Sequence, residues 1–162
     1  MDNIDKITTL LETIEDLAPA GFAIAFHIRL TSSEFQFQTY PKAWMEVYSQ
    51  NGYVLSDPTV SWAFSNEGYI RWSDLSDQDV LKIYEQSSAY GMKYGAAIGI
   101  EADDTRSIGG FARPDREYTD EEMQQLSDYI RQLHLLTASK TGMDDALRNE
   151  LHDLSVKMTH PS

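Results

Sequence analysis

The sequence predicts an α/β fold, with helices on both sides of a mostly antiparallel sheet. Apolar residues recur at helical spacing near both ends of the chain, in residues 2–17 and 119–138. Between them, an apolar run at 22–30 and an alternating run at 35–39 are typical of strands. Small residues at 94–113, interrupted by a polar turn, predict a late hairpin. Helices that precede and follow such strands cover the two faces of their sheet.

Length and composition restrict the kind of protein further. The chain has 162 residues, of which 41% are hydrophobic, which is enough for one domain with a substantial core. Thirteen basic residues face 26 acidic ones, so the clustered positive face that nucleic acids require is not expected, and this chain alone should not bind DNA. It has no cysteine, which excludes disulfides, thiol nucleophiles and cysteine metal sites. Neither a signal peptide nor a membrane-spanning run is present, and we expect a cytoplasmic protein without membrane contacts or cofactors.

The first third of the chain predicts a helix and two strands. The helix at 2–17 ends where Pro19–Gly21 interrupts it. The strand at 22–30 contains a single histidine, His27, which we interpret as a satisfied core or edge residue because metal sites need several ligands. The strand at 35–39 alternates phenylalanine with glutamine and is therefore predicted to be half exposed.

Three helices are predicted in the middle of the chain. Proline at the first turn starts a helix over Pro41–Asn51, and the following glycine ends it. An acid at the cap and a proline just inside start a second helix over Asp57–Gly68. The third lies within 73–90, with Val80 and Leu81 among its apolar residues.

The last third predicts the hairpin and two further helices. Glycine-rich strands such as those in 94–113 often mark the close approach of a backbone or ligand. Thr119 and Glu122 have the spacing of a capping box, which starts a helix that ends near Ala138. Residues 143–158 predict a more polar helix, which could be a linker helix, a dimer contact or the first helix of a further domain.

The stretch from residue 40 to residue 72 concentrates the functional candidates. Tyr40, Trp44 and Tyr48 lie four residues apart, which places them along one face of a helix, and each joins a large apolar body to a polar tip. Asp57 adds an acceptor and Trp72 another ring. Taken singly, aromatic stripes are more often core residues, and an acid before proline is more often a helix cap. Taken together, these residues favour an apolar pocket with a polar end.

The same residues form a longer pattern. It reads Tyr40-Pro41-x-x-Trp44-x-x-x-Tyr48, then Asp57-Pro58-Thr59-Val60, then Trp72, with a second match at Ala89–Gly95. This pattern resembles the autoinducer-binding domain of LuxR-type quorum-sensing regulators, over roughly residues 10 to 140. The resemblance implies an α-β-α sandwich of the PAS/GAF-like kind, with its ligand between the sheet and the middle helices.

The implied ligand is an N-acyl-homoserine lactone. By resemblance, the Trp44 indole donates to the lactone carbonyl, Asp57 accepts from the amide N–H and Tyr40 donates to the acyl carbonyl. Trp72 forms a flat wall against the lactone ring, while Tyr48 and Val60 flank the tail. Donor and acceptor chemistry agrees with these roles, since indole only donates and carboxylate only accepts. The predicted ligand-binding residues are Tyr40, Trp44, Tyr48, Asp57, Thr59, Val60, Trp72 and Ala112.

The chain departs from the family pattern at several of these positions. Many members carry serine or threonine near position 112, where it reaches the acyl carbonyl, whereas this chain has Ala112. We expect Thr59 to take part of that role. Gly99 stands where proline is common, and Tyr90 is bulkier than usual before its turn. These changes leave the acyl-chain preference and the ligand class open.

The resemblance also implies an organisation and a mechanism. Residues 1–140 are expected to form the sensor domain, and 141–162 a C-terminal helix or linker toward an absent helix-turn-helix domain. Ligand would control folding, homodimerisation and, in a full-length protein, DNA binding. An orphan protein without a DNA-binding domain, which binds another small molecule or sequesters a full-length regulator, is the alternative. A general PAS- or GAF-like sensor also remains open. An enzyme such as a lactone hydrolase is not expected, since no Gly-x-Ser-x-Gly motif or cysteine is present.

Overall fold

A computed structural model describes residues 3–29, 32–138 and 148–154, and shows a five-stranded sheet with helices on both faces. The strand order is β2-β1-β5-β4-β3 and every neighbouring pair is antiparallel, which confirms the predicted fold class. No helix within these ranges is both long and apolar enough to cross a membrane. The strands are β1 (Gly21–Arg29), β2 (Ser32–Gln38), β3 (Gly68–Arg71), β4 (Tyr94–Ala102) and β5 (Thr105–Arg113). The helices are α1 (Asn3–Leu17), α2 (Lys42–Gln50), α3 (Pro58–Ser65), α4 (Ile83–Ser88) and α5 (Asp120–Leu136).

One face of the sheet is densely packed against α1 and α5. Alternate residues of the strands point toward these helices, because successive side chains in a strand lie on opposite faces. Phe26 and Phe37 meet edge to face with ring centroids 6.0 Å apart, and Phe22 stacks on Phe111 at 6.4 Å. All four rings are buried, with at most 1% of their surface exposed. This face holds the main hydrophobic core.

The opposite face carries small residues. Gly99 has its backbone directly under the end of α3, where an added Cβ would lie 2.3 Å from the Asn66 carbonyl oxygen. The glycine-rich hairpin therefore permits close approach by α3, in agreement with its prediction. On β1 the corresponding residues Ala23 and Ala25 are only half buried, so no protein side chain covers them fully. The two faces differ in how completely they are filled.

Strand β3 was missed by the sequence prediction. The helix predicted to end near Gly68 ends instead at Ser65, and the chain then pairs Gly68–Arg71 with β4. All four strand residues are half buried, so the alternation that reveals a strand is missing from this segment.

The prediction of one continuous helix within 73–90 is wrong. The segment forms a 3₁₀ helix at Trp72–Gln78 and then the short α4. The Asp79 carboxylate accepts hydrogen bonds from the first backbone N–H groups of α4, so the helix starts late. Val80 and Leu81 consequently lie in the connecting loop with 84% and 44% of their surface exposed, rather than on an apolar helix face.

Helix starts were predicted with better success. Thr119 and Glu122 form the complete capping box, since the Thr119 hydroxyl accepts from the Glu122 N–H and the Glu122 carboxylate accepts from the Thr119 N–H. Helix α2 begins at Lys42, with Pro41 at the cap position. Tyr40 therefore lies before the helix rather than in its stripe.

The buried histidines lie on the packed side of the sheet. His27 is in a left-handed conformation with a φ of 56°, at a β-bulge in β1. Its Nδ1 lies 2.7 Å from the Thr105 hydroxyl and its Nε2 lies 2.8 Å from the Thr137 hydroxyl. His134 of α5 pairs through Nδ1 with Ser107 at 2.7 Å. His27 is thus a hydrogen-bonded core histidine, as predicted.

The C-terminal segment is described only in part. Residues 148–154 are helical and pack beside β2, where Leu151 is fully buried and the His152 ring lies 4.9 Å from that of Phe35. Arg148 and Glu34 form an ion pair. The remainder of the helix predicted at 143–158 lies outside the described residues.

Candidate functional site

A cavity of about 300 Å³ lies between the small-residue face of the sheet and the helices α2, α3 and α4. Its volume is at the lower end of the range for small-molecule pockets. The structure brings together seven of the eight residues predicted to bind ligand. The predicted residues that line the cavity are Tyr40, Trp44, Tyr48, Asp57, Thr59, Val60 and Trp72.

The eighth residue, Ala112, does not line the cavity. It lies on the correct face of β5 but is fully buried in a cluster with Trp44 and Trp72. Gly110, two residues earlier on the same face, takes the lining position. An added Cβ at Gly110 would lie 2.7 Å from the Tyr40 hydroxyl oxygen. The Tyr40 hydroxyl therefore lies against the backbone of β5 where a side chain would otherwise be.

The Trp44 ring is held by three tyrosines. Its centroid lies 5.5 Å from that of Tyr90, 5.9 Å from Tyr48 and 6.0 Å from Tyr53. Of these, Tyr48 itself lines the cavity, whereas Tyr90 and Tyr53 support Trp44 from outside the lining. With only 2% of its surface exposed, the Trp44 indole is held in one orientation in the wall of the cavity.

Asp57 serves both as a helix cap and as a cavity group. Its Oδ1 accepts from the Thr59 backbone N–H at 2.9 Å, which starts α3, and its Oδ2 accepts from the Tyr48 hydroxyl at 2.7 Å. Burial raises the pKa of the Asp57 carboxyl, while the hydrogen bonds from Tyr48 and Thr59 act in the opposite direction. The charged acid is therefore costly in the empty cavity, and an additional donor would stabilise it.

The tyrosine hydroxyls of the cavity remain protonated at neutral pH. Burial, followed by the negative charge of Asp57, raises the pKa of both Tyr40 and Tyr48 well above the ordinary value. Burial likewise raises the pKa of Tyr84. Each of these residues therefore carries a hydroxyl proton that it can donate.

Tyr84 is a cavity residue that the sequence prediction missed. Its ring stacks on Trp72 with centroids 5.0 Å apart and planes 11° from parallel, and its hydroxyl lies 2.7 Å from the Thr59 hydroxyl. The Asp79 carboxylate accepts from the Tyr84 backbone N–H and fixes the start of α4. Tyr84 therefore covers part of the wall that the prediction assigned to Trp72. The sequence placed Tyr84 on an apolar helix face, and Asp79 was the one available signal for its true position.

Trp72 is wedged against β4. An added Cβ at Gly95 would lie 2.2–2.4 Å from three atoms of the Trp72 ring, so only glycine allows the indole to lie there. Its Nε1 is the one buried side-chain nitrogen or oxygen without a hydrogen-bond partner among the described residues. A buried donor without a partner costs about 1–3 kcal/mol, so the position of the Trp72 ring is maintained at a cost in stability.

The floor of the cavity also contains residues that the prediction did not select. Ala23 and Ala25 of β1 and Gln36 and Gln38 of β2 line it, together with Ile108 of β5. Alternation correctly separated the glutamines of β2 from its phenylalanines. It could not show that the polar face meets a cavity instead of bulk water.

Residues 18–139 match the family described as the autoinducer binding domain, which is well over half of the chain. The chain belongs to this family. It is therefore an autoinducer-binding domain of the LuxR type, as its sequence pattern indicated.

Curated relatives agree with this assignment. The transcriptional activator VanR of Vibrio anguillarum is 32% identical over 82 residues, which are 49% of this chain and 34% of VanR. The quorum-sensing regulator RhlR of Pseudomonas aeruginosa is 28% identical over 109 residues, which are 65% of this chain and 45% of RhlR. The chain thus spans less than half the length of either relative.

Solved structures share the fold. SdiA in complex with octanoyl-rac-glycerol superposes with a TM-score of 0.64 at 16% identity, covering 91% of this chain and 63% of that one. CepR2 from Burkholderia cenocepacia, an N-acylhomoserine-lactone-dependent LuxR-family factor, gives a TM-score of 0.56 at 14% identity, covering 92% of this chain and 98% of that one. At these identities the likeness concerns the fold alone.

Proposed function

We propose that the cavity binds an N-acyl-homoserine lactone or a closely similar acylated signal. The observation that carries this proposal is the placement of Asp57 and Trp44 in the lining of one largely apolar cavity, with Tyr48 in contact with both. A carboxylate offers about four acceptor positions. Tyr48 and Thr59 occupy two of them, which leaves Asp57 able to accept from the amide N–H of a ligand.

The other polar groups of the ligand have matching partners. The Trp44 indole supplies a donor for the lactone carbonyl, and the protonated Tyr40 hydroxyl supplies one for the acyl carbonyl. The Tyr84 ring, stacked on Trp72, flanks the lactone ring. These assignments support the roles expected from the sequence, with Tyr84 added and Gly110 in place of Ala112.

We further propose that the ligand is bound without being transformed. The relatives VanR and RhlR are described as a transcriptional activator and a quorum-sensing regulator. The Asp57 carboxylate is engaged by its two donors, and the buried histidines lie on the other side of the sheet. Chromatography of a lactone recovered after prolonged incubation should return it unchanged. Appearance of the ring-opened acid in proportion to protein concentration would contradict this part of the proposal.

The proposed regulatory mechanism is thermodynamic linkage. A ligand that binds the folded domain stabilises it by mass action, and this favours whatever dimer the folded domain forms. We propose homodimerisation and, in a whole regulator, control of DNA binding as the consequences. The buried Asp57 carboxyl supports ligand-dependent folding, because a donor from the ligand would stabilise its charged form.

Thermal unfolding with a panel of lactones tests the binding proposal. A ligand at about 100 times its dissociation constant adds about 2.7 kcal/mol to the free energy of unfolding. We expect such a shift for the wild type and its loss in Asp57→Asn and Trp44→Phe. The matched controls are Asp74→Asn, at an exposed acid, and Trp62→Phe, at a tryptophan outside the cavity, and both should keep the shift.

A second head group belongs in the same panel. SdiA has been solved with octanoyl-rac-glycerol, so a monoacylglycerol tests whether the cavity requires a lactone and an amide. Stabilisation by the lactone that exceeds stabilisation by the glycerol ester of equal tail length would support the role of Asp57, because the ester has no amide N–H. If no lactone in the panel raises the unfolding temperature, the proposed ligand class is wrong.

A further inference from the structure

We propose that Arg106 is a positioning residue for ligand binding, which holds helix α3 at the height above the sheet that the cavity requires. Arg106 does not line the cavity, so it acts on a ligand only through α3. Its effect on affinity rests on the proposed function, whereas its effect on α3 can be measured without any ligand.

Helix α3 forms one wall of the cavity. Four of its eight residues line the cavity, and Asp57 lines it from the cap position. The start of α3 is tied to neighbouring helices, because Asp57 accepts from the Tyr48 hydroxyl and the Thr59 hydroxyl pairs with that of Tyr84. The distance between the helix and the sheet therefore also depends on how the other end of α3 is held.

The last turn of α3 is held by Arg106 of β5. The Arg106 Nη1 donates to the carbonyl oxygens of Ala63 and Asn66, both at 2.8 Å. The last carbonyls of a helix have no partner within the helix and form its negative end, so a cation is favourable there. The Arg106 Nη2 donates to Glu101, the residue that faces it on β4, at 2.9 Å. One planar guanidinium thus connects the end of α3 to two strands.

Gly99 of β4 provides the space for this contact. A Cβ added there would lie 2.3 Å from the Asn66 carbonyl oxygen, 2.7 Å from that of Ala63 and 3.3 Å from the Arg106 Nη1. The two carbonyls that Arg106 binds are therefore the same two that rest on the Gly99 backbone. We call Gly99 and Arg106 together the α3 seat, in which the glycine admits the helix and the arginine retains it.

The α3 seat controls how often the cavity is ready to bind. An eight-residue helix is about 12 Å long and moves largely as one body. When its end leaves the sheet, Asp57 and Thr59 are displaced relative to Tyr40, which stands on a separate segment against Gly110. The apparent affinity of a ligand falls in proportion to the fraction of molecules in the competent arrangement. Arg106 therefore influences affinity without touching the ligand.

Hydrogen exchange and lactone titration of Arg106→Met test the proposal. The variant keeps an apolar stem but loses every donor. Without ligand, amide exchange across residues 59–65 should become at least about ten-fold faster. The lactone that binds the wild type best should bind about ten-fold more weakly, as expected if only about a tenth of the molecules keep α3 seated.

Arg113→Met is the matched control. Arg113 also belongs to β5, but it donates to the Leu17 carbonyl at the end of α1, on the packed side of the sheet. Its loss should destabilise the domain, yet leave lactone affinity and exchange in α3 within about two-fold of the wild type, since distant sites act independently.

Two further variants show whether the effect arises at the α3 seat. Gly99→Ala pushes the same carbonyls away from the sheet and should reproduce both changes. The double variant Gly99→Ala/Arg106→Met should bind no more weakly than the weaker single variant, because both substitutions release one contact. Arg106→Lys, which keeps the charge and one carbonyl contact, should restore part of the affinity.

Unchanged exchange in α3 of Arg106→Met would overturn the proposal, and so would equal losses of affinity in Arg106→Met and Arg113→Met. Losses that multiply in the double variant would also overturn it, because the two residues would then act separately. A wild type that binds no lactone would instead overturn the proposed function, and exchange in α3 would still decide whether Arg106 holds the helix.

Discussion

The two faces of the sheet are built from the same strands, but one face is densely packed and the other lines a cavity. On one face, Phe22, Phe26 and Phe37 fill the space under α1 and α5 and leave almost no exposed surface. On the other face, Ala23 and Ala25 occupy the alternate positions of β1 and leave a cavity between the strand and the helices above it. Side-chain size at alternating positions therefore separates a packed core from a cavity within one strand.

This difference has an energetic consequence. Dense packing on one face supplies the apolar burial that stabilises the domain, so the other face can remain incompletely filled. The cavity face even carries destabilising features, namely the buried Asp57 charge and the unpartnered Trp72 donor. Substitutions on the two faces should therefore change different quantities: the free energy of unfolding on the first, and ligand affinity on the second.

The largest effect is expected at Phe37, on the packed face. Phe37→Ala should lower the free energy of unfolding by about 3–5 kcal/mol, because it leaves a cavity among aromatic rings that cannot collapse. Chemical denaturation of the free protein measures the loss. The neighbouring Gln38→Ala, on the other face of the same strand, is the comparison and should cost far less. Equal losses at the two positions would show that the faces are not energetically distinct.

The second effect separates two glycines of the cavity face. Gly95→Ala should cost about 1–3 kcal/mol of stability, because its Cβ meets the buried Trp72 ring. In Gly110→Ala, the added Cβ contacts the Tyr40 hydroxyl. This group lies at the end of a side chain that can move, so the substitution should cost little stability. By displacing that hydroxyl it should weaken lactone binding about ten-fold, the equivalent of one hydrogen bond. Denaturation and calorimetry on both variants measure the two effects, and the opposite order in either one would contradict the structure.

The third effect is the change of stability with pH, to which one titrating group on each face contributes. Burial lowers the pKa of His134 on the packed face, so its neutral form contributes stability above about pH 6.5, and this is lost as the pH falls below that value. Burial raises the pKa of Asp57 on the cavity face, so the folded state loses stability as the pH rises from the ordinary carboxyl pKa to that raised value. The two contributions oppose each other in mildly acidic solution.

Asp57→Asn resolves these opposing contributions. It removes the costly charge, so without ligand the variant should be more stable relative to the wild type at about pH 7 than at about pH 4, near the ordinary carboxyl pKa, where the raised pKa keeps the folded wild-type acid protonated. Denaturation of both proteins at the two pH values measures this difference. A difference that is constant with pH would mean that Asp57 is not buried as a charge. The wild-type response to lactone should weaken as the pH falls, because protonation removes an acceptor.

The sequence predicted the packed face better than the cavity face. Alternation in β2 and helical periodicity in α1 and α5 report burial directly, so these elements and their core residues were placed correctly. The motif positions from Tyr40 to Trp72 were also brought together. Tyr84 lies in α4, within the segment predicted to be helical, but it was not selected as a cavity residue, because the sequence did not show that the Asp79 carboxylate fixes the start of this helix. The prediction selected Ala112 instead of Gly110, because a glycine in a sequence does not indicate which group occupies the space beside its backbone.

The smallest effect on stability is expected at Gln36, which lines the cavity. This residue is exposed, lies on the cavity face of β2 and pairs with Ala25 in the row beyond the Tyr40 hydroxyl. Gln36→Leu should change the free energy of unfolding by less than about 0.5 kcal/mol, as is usual for exposed positions. It should nevertheless tighten binding of a twelve-carbon lactone by about four-fold, the equivalent of one further methylene buried against the tail. The four-carbon lactone, which does not extend to this row, serves as the control in the same titration. A gain for both ligands would place Gln36 near the head group, and a gain for neither would mean that the tail leaves the sheet before it reaches β2.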